Sequence, residues 1–141
     1  MYRRRAFAVA ACVVAADQVS KALAVAFLEY RAPIPLLGQW LQLSFTRNPG
    51  AAFSMGTGMT WVFTAFAFVV SVVLVRVAAH LTHRGWATAL GATLGGALGN
   101  LVDRLFRSPS PLRGHVVDFI ALPNYPLFNI ADSALVCAAI V

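Results

Sequence analysis

Asp118 and Asp132 are the residues of this chain whose type and setting point to chemistry. They belong to the run Gly114 to Asp132, Gly-His-Val-Val-Asp-Phe-Ile-Ala-Leu-Pro-Asn-Tyr-Pro-Leu-Phe-Asn-Ile-Ala-Asp, where both sit among apolar neighbours. The 141-residue chain has five acidic residues, Asp17, Glu29, Asp103, Asp118 and Asp132, so this run holds a large share of a scarce type. An ionisable group in apolar surroundings is costly, and function is its default explanation. Two carboxyls brought close do not both ionise readily: one keeps its proton while the other acts as a base. That division of labour suits acid–base hydrolysis through a bound water. The plain alternative is that Asp118 caps a turn and Asp132 caps or begins a helix. Nucleophilic schemes fare worse, because His80, His83 and His115 are not placed with a serine, threonine or cysteine they could activate.

The elements that must carry these acids are set by composition. With 60% hydrophobic and 11% charged residues and a mean hydropathy of +0.74, the chain is expected to be an integral membrane protein forming a single domain over residues 1–141. The net charge of +6 resides at the ends of apolar runs. These are orienting charges, not a nucleic-acid face. Cys12 and Cys137 lie in apolar runs without metal-ligand spacing, so neither a disulfide nor a metal is expected. His80 and His83 lack a third ligand nearby, which leaves the metal set empty.

Four spans are expected, at about 6–28, 59–81, 86–106 and 128–141. The first follows Arg3, Arg4 and Arg5 and contains Asp17 and Lys21, four residues apart on one face, as a structural ion pair. It is expected to be retained, since no clear small-residue cleavage site follows it. From Glu29 to Met59, prolines and glycines break any helix, and the alternation Trp-Leu-Gln-Leu-Ser-Phe from Trp40 to Phe45 predicts a short strand near the membrane surface. Arg47 to Ser54 reads as a turn of small residues. In the third span Ala87, Gly91, Gly95 and Gly99 recur every four residues, a ridge for close helix contact. Its end carries Asn100, Asp103 and Arg104 roughly on one side. Arg107 to Tyr125 is a second, proline-rich loop, and the apolar run that begins at Phe128 reaches only about 21 Å, short of the roughly 30 Å apolar core. Either the bilayer thins there or the chain is truncated.

Four spans place both loops on one side, so the polar residues converge just below that interface. Asn100 lies about 21 Å along the third span and Asp132 about 6 Å into the fourth. Arg3 to Arg5, Arg76 and Arg84 favour an inside N-terminus, although Arg31, Arg47, Arg107 and Arg113 fall on the opposite side. The fold class expected is an all-α membrane protein with four transmembrane helices and a small β-containing loop on the outer face.

Four blocks, Asp17 to Lys21, Asn48 to Ser54, Gly95 to Arg104 and Val116 to Asp132, together resemble bacterial lipoprotein signal peptidase, or signal peptidase II, in order and spacing over nearly the whole chain. The resemblance implies that Asp118 and Asp132 form a catalytic aspartate dyad. It implies substrate-positioning or supporting roles for Asn48, Gly50, Asn100, Arg104 and Asn129, beside the structural polar residues Asp17, Lys21 and Asp103. It also implies a bacterial inner membrane, an outward-facing site and a diacylglyceryl-modified prolipoprotein substrate. No cofactor is expected, and the partners are the substrate and membrane lipids, with the protein a monomer. The sequence departs from the family in its short fourth span and in the proline-rich run Ser108 to Pro111. The competing class is a small proton-linked membrane transporter or channel subunit with Asp17, Asp103, Asp118 and Asp132 as a relay. A relay needs carboxyls at successive depths, whereas Asp103, Asp118 and Asp132 cluster toward one face.

Overall fold

The computed structural model describes residues 2–50 and 58–140. Helix α1 (Tyr2–Leu28) is followed by strands β1 (Ile34–Pro35) and β2 (Gln42–Asn48), helices α2 (Thr60–Ala79) and α3 (Arg84–Phe106), strand β3 (Val116–Ala121) and helix α4 (Ile130–Ile140). The protein is thus mostly helical, with one small sheet.

Helix α3 is the centre, packing against α1, α2 and α4. On α1 the buried face is Ala6, Ala10, Asp17, Lys21, Ala24 and Leu28, a helical stripe whose upper half is small. The expected glycine ridge of α3 lies against it. A Cβ at Gly95 would stand 2.6 Å from Val13 Cβ, and one at Gly99 would stand 2.6 Å from Asp17 Oδ2, so the two helices meet at a distance only glycine allows.

Both loops contribute to the sheet, in the order β1-β2-β3 with every pair antiparallel. Here the sequence expectations need correction. The expected strand at Trp40 to Phe45 begins two residues later and runs on to Asn48, because Thr46, Arg47 and Asn48 pair with Asp118, Val117 and Val116. Arg47 and Asn48 are therefore strand residues and not part of a turn; Ala51 to Ser54 lie outside the described residues. The loop expected from Arg107 to Tyr125 contains β3, whose first four residues are all buried. A strand covered on both faces has no alternating pattern to reveal it. Val117 and Phe119 close a core with Ala24 and Leu28, which seats the sheet on the end of α1. Pro35 stands in the edge strand β1, where a missing N–H costs no ladder bond.

Among the described residues two helices, Tyr2–Leu28 and Thr60–Ala79, are long and apolar enough to cross a membrane. α3 has the length but carries polar residues at its end, and α4 has 11 residues, fewer than the run expected from 128 onward.

Candidate active site

Strand β3 delivers Asp118, and a reversal of the chain delivers Asp132. After β3, Asn124 takes a left-handed backbone conformation (φ 56°) and the Tyr125 N–H reaches the Leu122 carbonyl at 3.3 Å. The chain then runs back along β3: Phe128 N–H donates to Ile120 O at 3.1 Å, and Phe128 O accepts from the N–H groups of Phe119 (3.0 Å) and Ile120 (2.9 Å). This reversal sets Asn129 beside Asp118 and starts α4 immediately after it.

Asn129, fully buried, joins the two acids. Its Oδ1 accepts the Asp132 N–H at 2.9 Å while Asp132 Oδ2 accepts the Asn129 N–H at 3.2 Å, the reciprocal arrangement of a helix capping box. Its amide Nδ2 donates to Asp118 Oδ1 at 2.7 Å, with longer contacts to Asn100 Oδ1 (3.1 Å) and Val117 O (3.3 Å). Its cap of α4 and its contact with Asp118 thus coexist in one side chain.

The other oxygens are held as well. Asn100 Nδ2 donates to Asp132 Oδ1 at 2.9 Å, and Asn48 Nδ2 donates to Asp118 Oδ2 at 3.3 Å. Asn48 is itself oriented by the Gly50 N–H, which donates to its Oδ1 at 3.0 Å. Arg104 is buried, with Nη2 donating to Gly50 O at 2.6 Å and the guanidinium 5.8 Å from the Phe63 ring centre. Its buried Nη1 finds no hydrogen-bond partner among the described residues. These side chains line a cavity of about 520 Å³ whose remaining wall includes Phe63, Phe66, Val70, Leu135 and Val136. One side is polar and fixed; the other is aliphatic and aromatic.

Burial pushes the Asp118 carboxyl up to about 7, the neighbouring Asp132 adds to the rise, and the hydrogen bonds from Asn48 and Asn129 oppose it. A carboxyl that stays protonated near neutrality can donate a hydrogen bond, which an ordinary aspartate cannot. Burial, then the positive charges of Arg47 and Arg104, hold the His115 imidazole below its usual range.

Asp17, Lys21 and Asp103 form a second buried cluster beside the first. Lys21 Nζ lies 2.7 Å from Asp17 Oδ2 and 2.9 Å from Asp103 Oδ2, and Arg107 Nε lies 2.7 Å from Asp103 Oδ1. The expected pair is present and larger than expected. Asn100, Asp103 and Arg104, grouped in the sequence by spacing, divide: Asp103 faces α1, Arg104 faces Gly50, and Asn100 lies between the clusters. Among the described residues no group of three His, Cys, Asp or Glu side chains is arranged to hold a metal ion; His80 and His83 instead flank the α2–α3 turn, exposed.

Three supporting residues escaped the sequence reading. Thr60 Oγ1 donates to Pro49 O at 2.6 Å, and Thr64 Oγ1 reaches Leu112 O at 2.7 Å, so one face of α2 ties down both loops. Gln18 Nε2 donates to Gly99 O at 3.0 Å and Asp103 Oδ1 at 3.1 Å. Two hydroxyls four residues apart at the loop end of an apolar run were the available signal for the threonines.

Comparison with known proteins bears on this arrangement. The family described as signal peptidase (SPase) II matches residues 9–141. The lipoprotein signal peptidase of Rhodococcus jostii is 52% identical over 134 residues, covering 95% of this chain and 68% of its own. That of Streptomyces griseus subsp. griseus is 54% identical, covering 88% and 63%, and that of Mycobacterium avium 50%, covering 97% and 75%. The chain thus spans from 63% to 75% of the length of these relatives. Among solved structures, a bacterial membrane enzyme at 2.3 Å resolution superposes with a TM-score of 0.83 at 28% identity, covering 96% of this chain and 82% of that one. Another, at 1.9 Å, gives 0.80 at 29% identity with coverage of 96% and 87%.

Proposed function

The chain belongs to the signal peptidase II family, the lipoprotein signal peptidases, and from that premise we propose that it is an aspartic endopeptidase that removes the signal peptide from diacylglyceryl-modified prolipoproteins. The observation that carries this reading is the pair of buried acids joined through Asn129 at the wall of one cavity. In the reactive state Asp118 holds the proton, and Asp132 is the base. A water between them gives a proton to Asp132 as its oxygen attacks the scissile carbonyl carbon, while Asp118 gives its proton to the carbonyl oxygen. The resulting gem-diol collapses as the proton taken by Asp132 passes to the departing amine, the C–N bond breaks, and one hydroxyl returns a proton to Asp118. Asn48, Gly50 and Arg104 hold the peptide backbone, for which Arg104 Nη1, without a partner among the described residues, is a donor. The cavity's apolar wall suits acyl chains and an apolar signal segment.

The purified protein is expected to cleave a lipidated precursor, and to do so less well as pH rises through about 7, where Asp118 loses its proton. The sign follows from the role: the reactive state needs the Asp118 proton, and above that pH this proton is gone. A rate that stays flat through this range would remove Asp118 as the acid, and failure to cleave at any pH would remove the function.

We also propose that α1 to α4 all cross the bacterial inner membrane as one multi-pass domain, with the N-terminus inside and the sheet and dyad toward the outer face. Supporting this are the shared sheet, which requires both loops on one side, and the cluster Arg3, Arg4 and Arg5 at the start of α1, which the charge bias of membrane proteins favours on the inner side. With Cys12 and Cys137 replaced by alanine, single cysteines at Gly38 and at Ser110 should both react with a membrane-impermeant thiol reagent added to intact cells. Labelling at only one of them would contradict the shared side.

A further inference from the structure

The buried ion cluster grips the chain one residue ahead of each acid. Asp17 Oδ1 accepts the N–H of Ala131 at 2.9 Å, and Ala131 precedes Asp132. Asp103 Oδ2 accepts the N–H of Val117 at 3.0 Å, and Val117 precedes Asp118. Between these two carboxylates sits Lys21, fully buried, at 2.7 Å from the first and 2.9 Å from the second. Its third proton goes to Asn100 Oδ1 at 2.9 Å. Because an ammonium only donates, that bond turns the Asn100 amide so that its Nδ2 faces Asp132 Oδ1. All three Lys21 donors therefore lead, in one further step, to a segment or side chain of the proposed dyad.

Holding α1 to α3 would require only the side-chain pairs. Here the carboxylates also take backbone N–H groups from α4 and β3, and the residue held is adjacent to the acid in both cases. Adjacent Cα atoms are about 3.8 Å apart, so little of a displacement at the clamped N–H is lost before it reaches the carboxyl. We propose that Lys21 is a positioning residue: through Asp17 and Asp103 it fixes the separation of the segments bearing Asp132 and Asp118, and through Asn100 it orients the Asp132 carboxyl. This rests on Asp118 and Asp132 being the reacting groups.

Lys21→Met alone leaves two buried carboxylates against one remaining cation, Arg107, and is liable to unfold. The informative variant is Lys21→Met with Asp17→Asn, which removes one charge of each sign and leaves an amide oxygen able to accept the Ala131 N–H. Folding is read by monodispersity and thermal melting in detergent, and turnover by cleavage of a lipidated precursor, with Asp118→Asn prepared alongside. The double variant should fold, bind substrate with unchanged KM and lose on the order of 10- to 100-fold in kcat, the cost of a misplacement of about 1 Å or less. A folded double variant with wild-type kcat, or with a raised KM and unchanged kcat, would overturn the proposal. So would failure of both Lys21 variants to fold where Asp118→Asn folds, since Lys21 would then be a packing group only. Cleavage retained by Asp118→Asn would instead sink the dyad reading beneath it; an inactive Asp118→Asn beside a fully active double variant would sink the positioning role alone.

Discussion

Asp118→Asn and Asp132→Asn should each reduce cleavage of a lipidated precursor on the order of 10⁴-fold or more, while the protein remains folded in detergent. The change is isosteric, so the cavity keeps its shape, and each acid has an amide donor that an asparagine oxygen can still accept, from Asn129 or from Asn100. What is lost is the titration. An amide at 118 keeps an N–H donor but has no proton to transfer, and an amide at 132 cannot accept one from water. Because the two act as one unit, the double variant should be little worse than either single one. Removing the repulsion between two buried acids also predicts a melting temperature that is held or raised, since the Asp118 shift records a cost of charging it there. Robust turnover by either single variant would refute the dyad.

The next largest effect is expected at Asn129. Alanine there removes the amide that donates to Asp118 Oδ1 at 2.7 Å and the oxygen that accepts the Asp132 N–H at 2.9 Å. Loss of one preorganised donor at a reacting centre costs about 10²- to 10³-fold in kcat, and loss of the cap costs roughly 0.5–2 kcal/mol of stability. Both should appear together in Asn129→Ala, because one side chain serves both. Cleavage rate and melting temperature measured on one preparation separate the roles. A lowered melting temperature with normal turnover per folded molecule would reduce Asn129 to a helix cap.

How much of this was legible in the sequence depended on whether the relevant signal was local. The ion pair of Asp17 and Lys21 follows from i,i+4 spacing on a single helix, and the ridge through Gly91, Gly95 and Gly99 follows from a repeat of four; both stand in the structure as read. The acids were legible because a carboxyl in an apolar run is costly wherever the run folds. What spacing could not reveal were the pairings across the chain. β3 lacks alternation because Val116 to Phe119 are buried on both faces, and β2 extends through Arg47 and Asn48 because a strand some seventy residues later offers them partners. The same limit explains Asp103: its helical spacing sets it near Arg104, but its partners are Lys21 on α1 and the Val117 N–H on β3. The resemblance of the four sequence blocks implied supporting roles for the asparagines, and the hydrogen bonds show which acid each one touches.

The sheet that joins the two loops also sets an order of events in time. Asn48 and Gly50 precede α2, and Asn100 and Arg104 complete α3, so the peptide-holding side of the cavity has been synthesised before Asp118 emerges. Asp118 needs the strand made earlier to receive it, and Asp132 arrives only with the turn after β3. A chain made only as far as α3 consequently carries Asn48, Gly50, Asn100 and Arg104 but neither acid. The two acids and the apolar wall at Leu135 and Val136 thus come last in the chain, so the cavity is closed and charged by the same final segment.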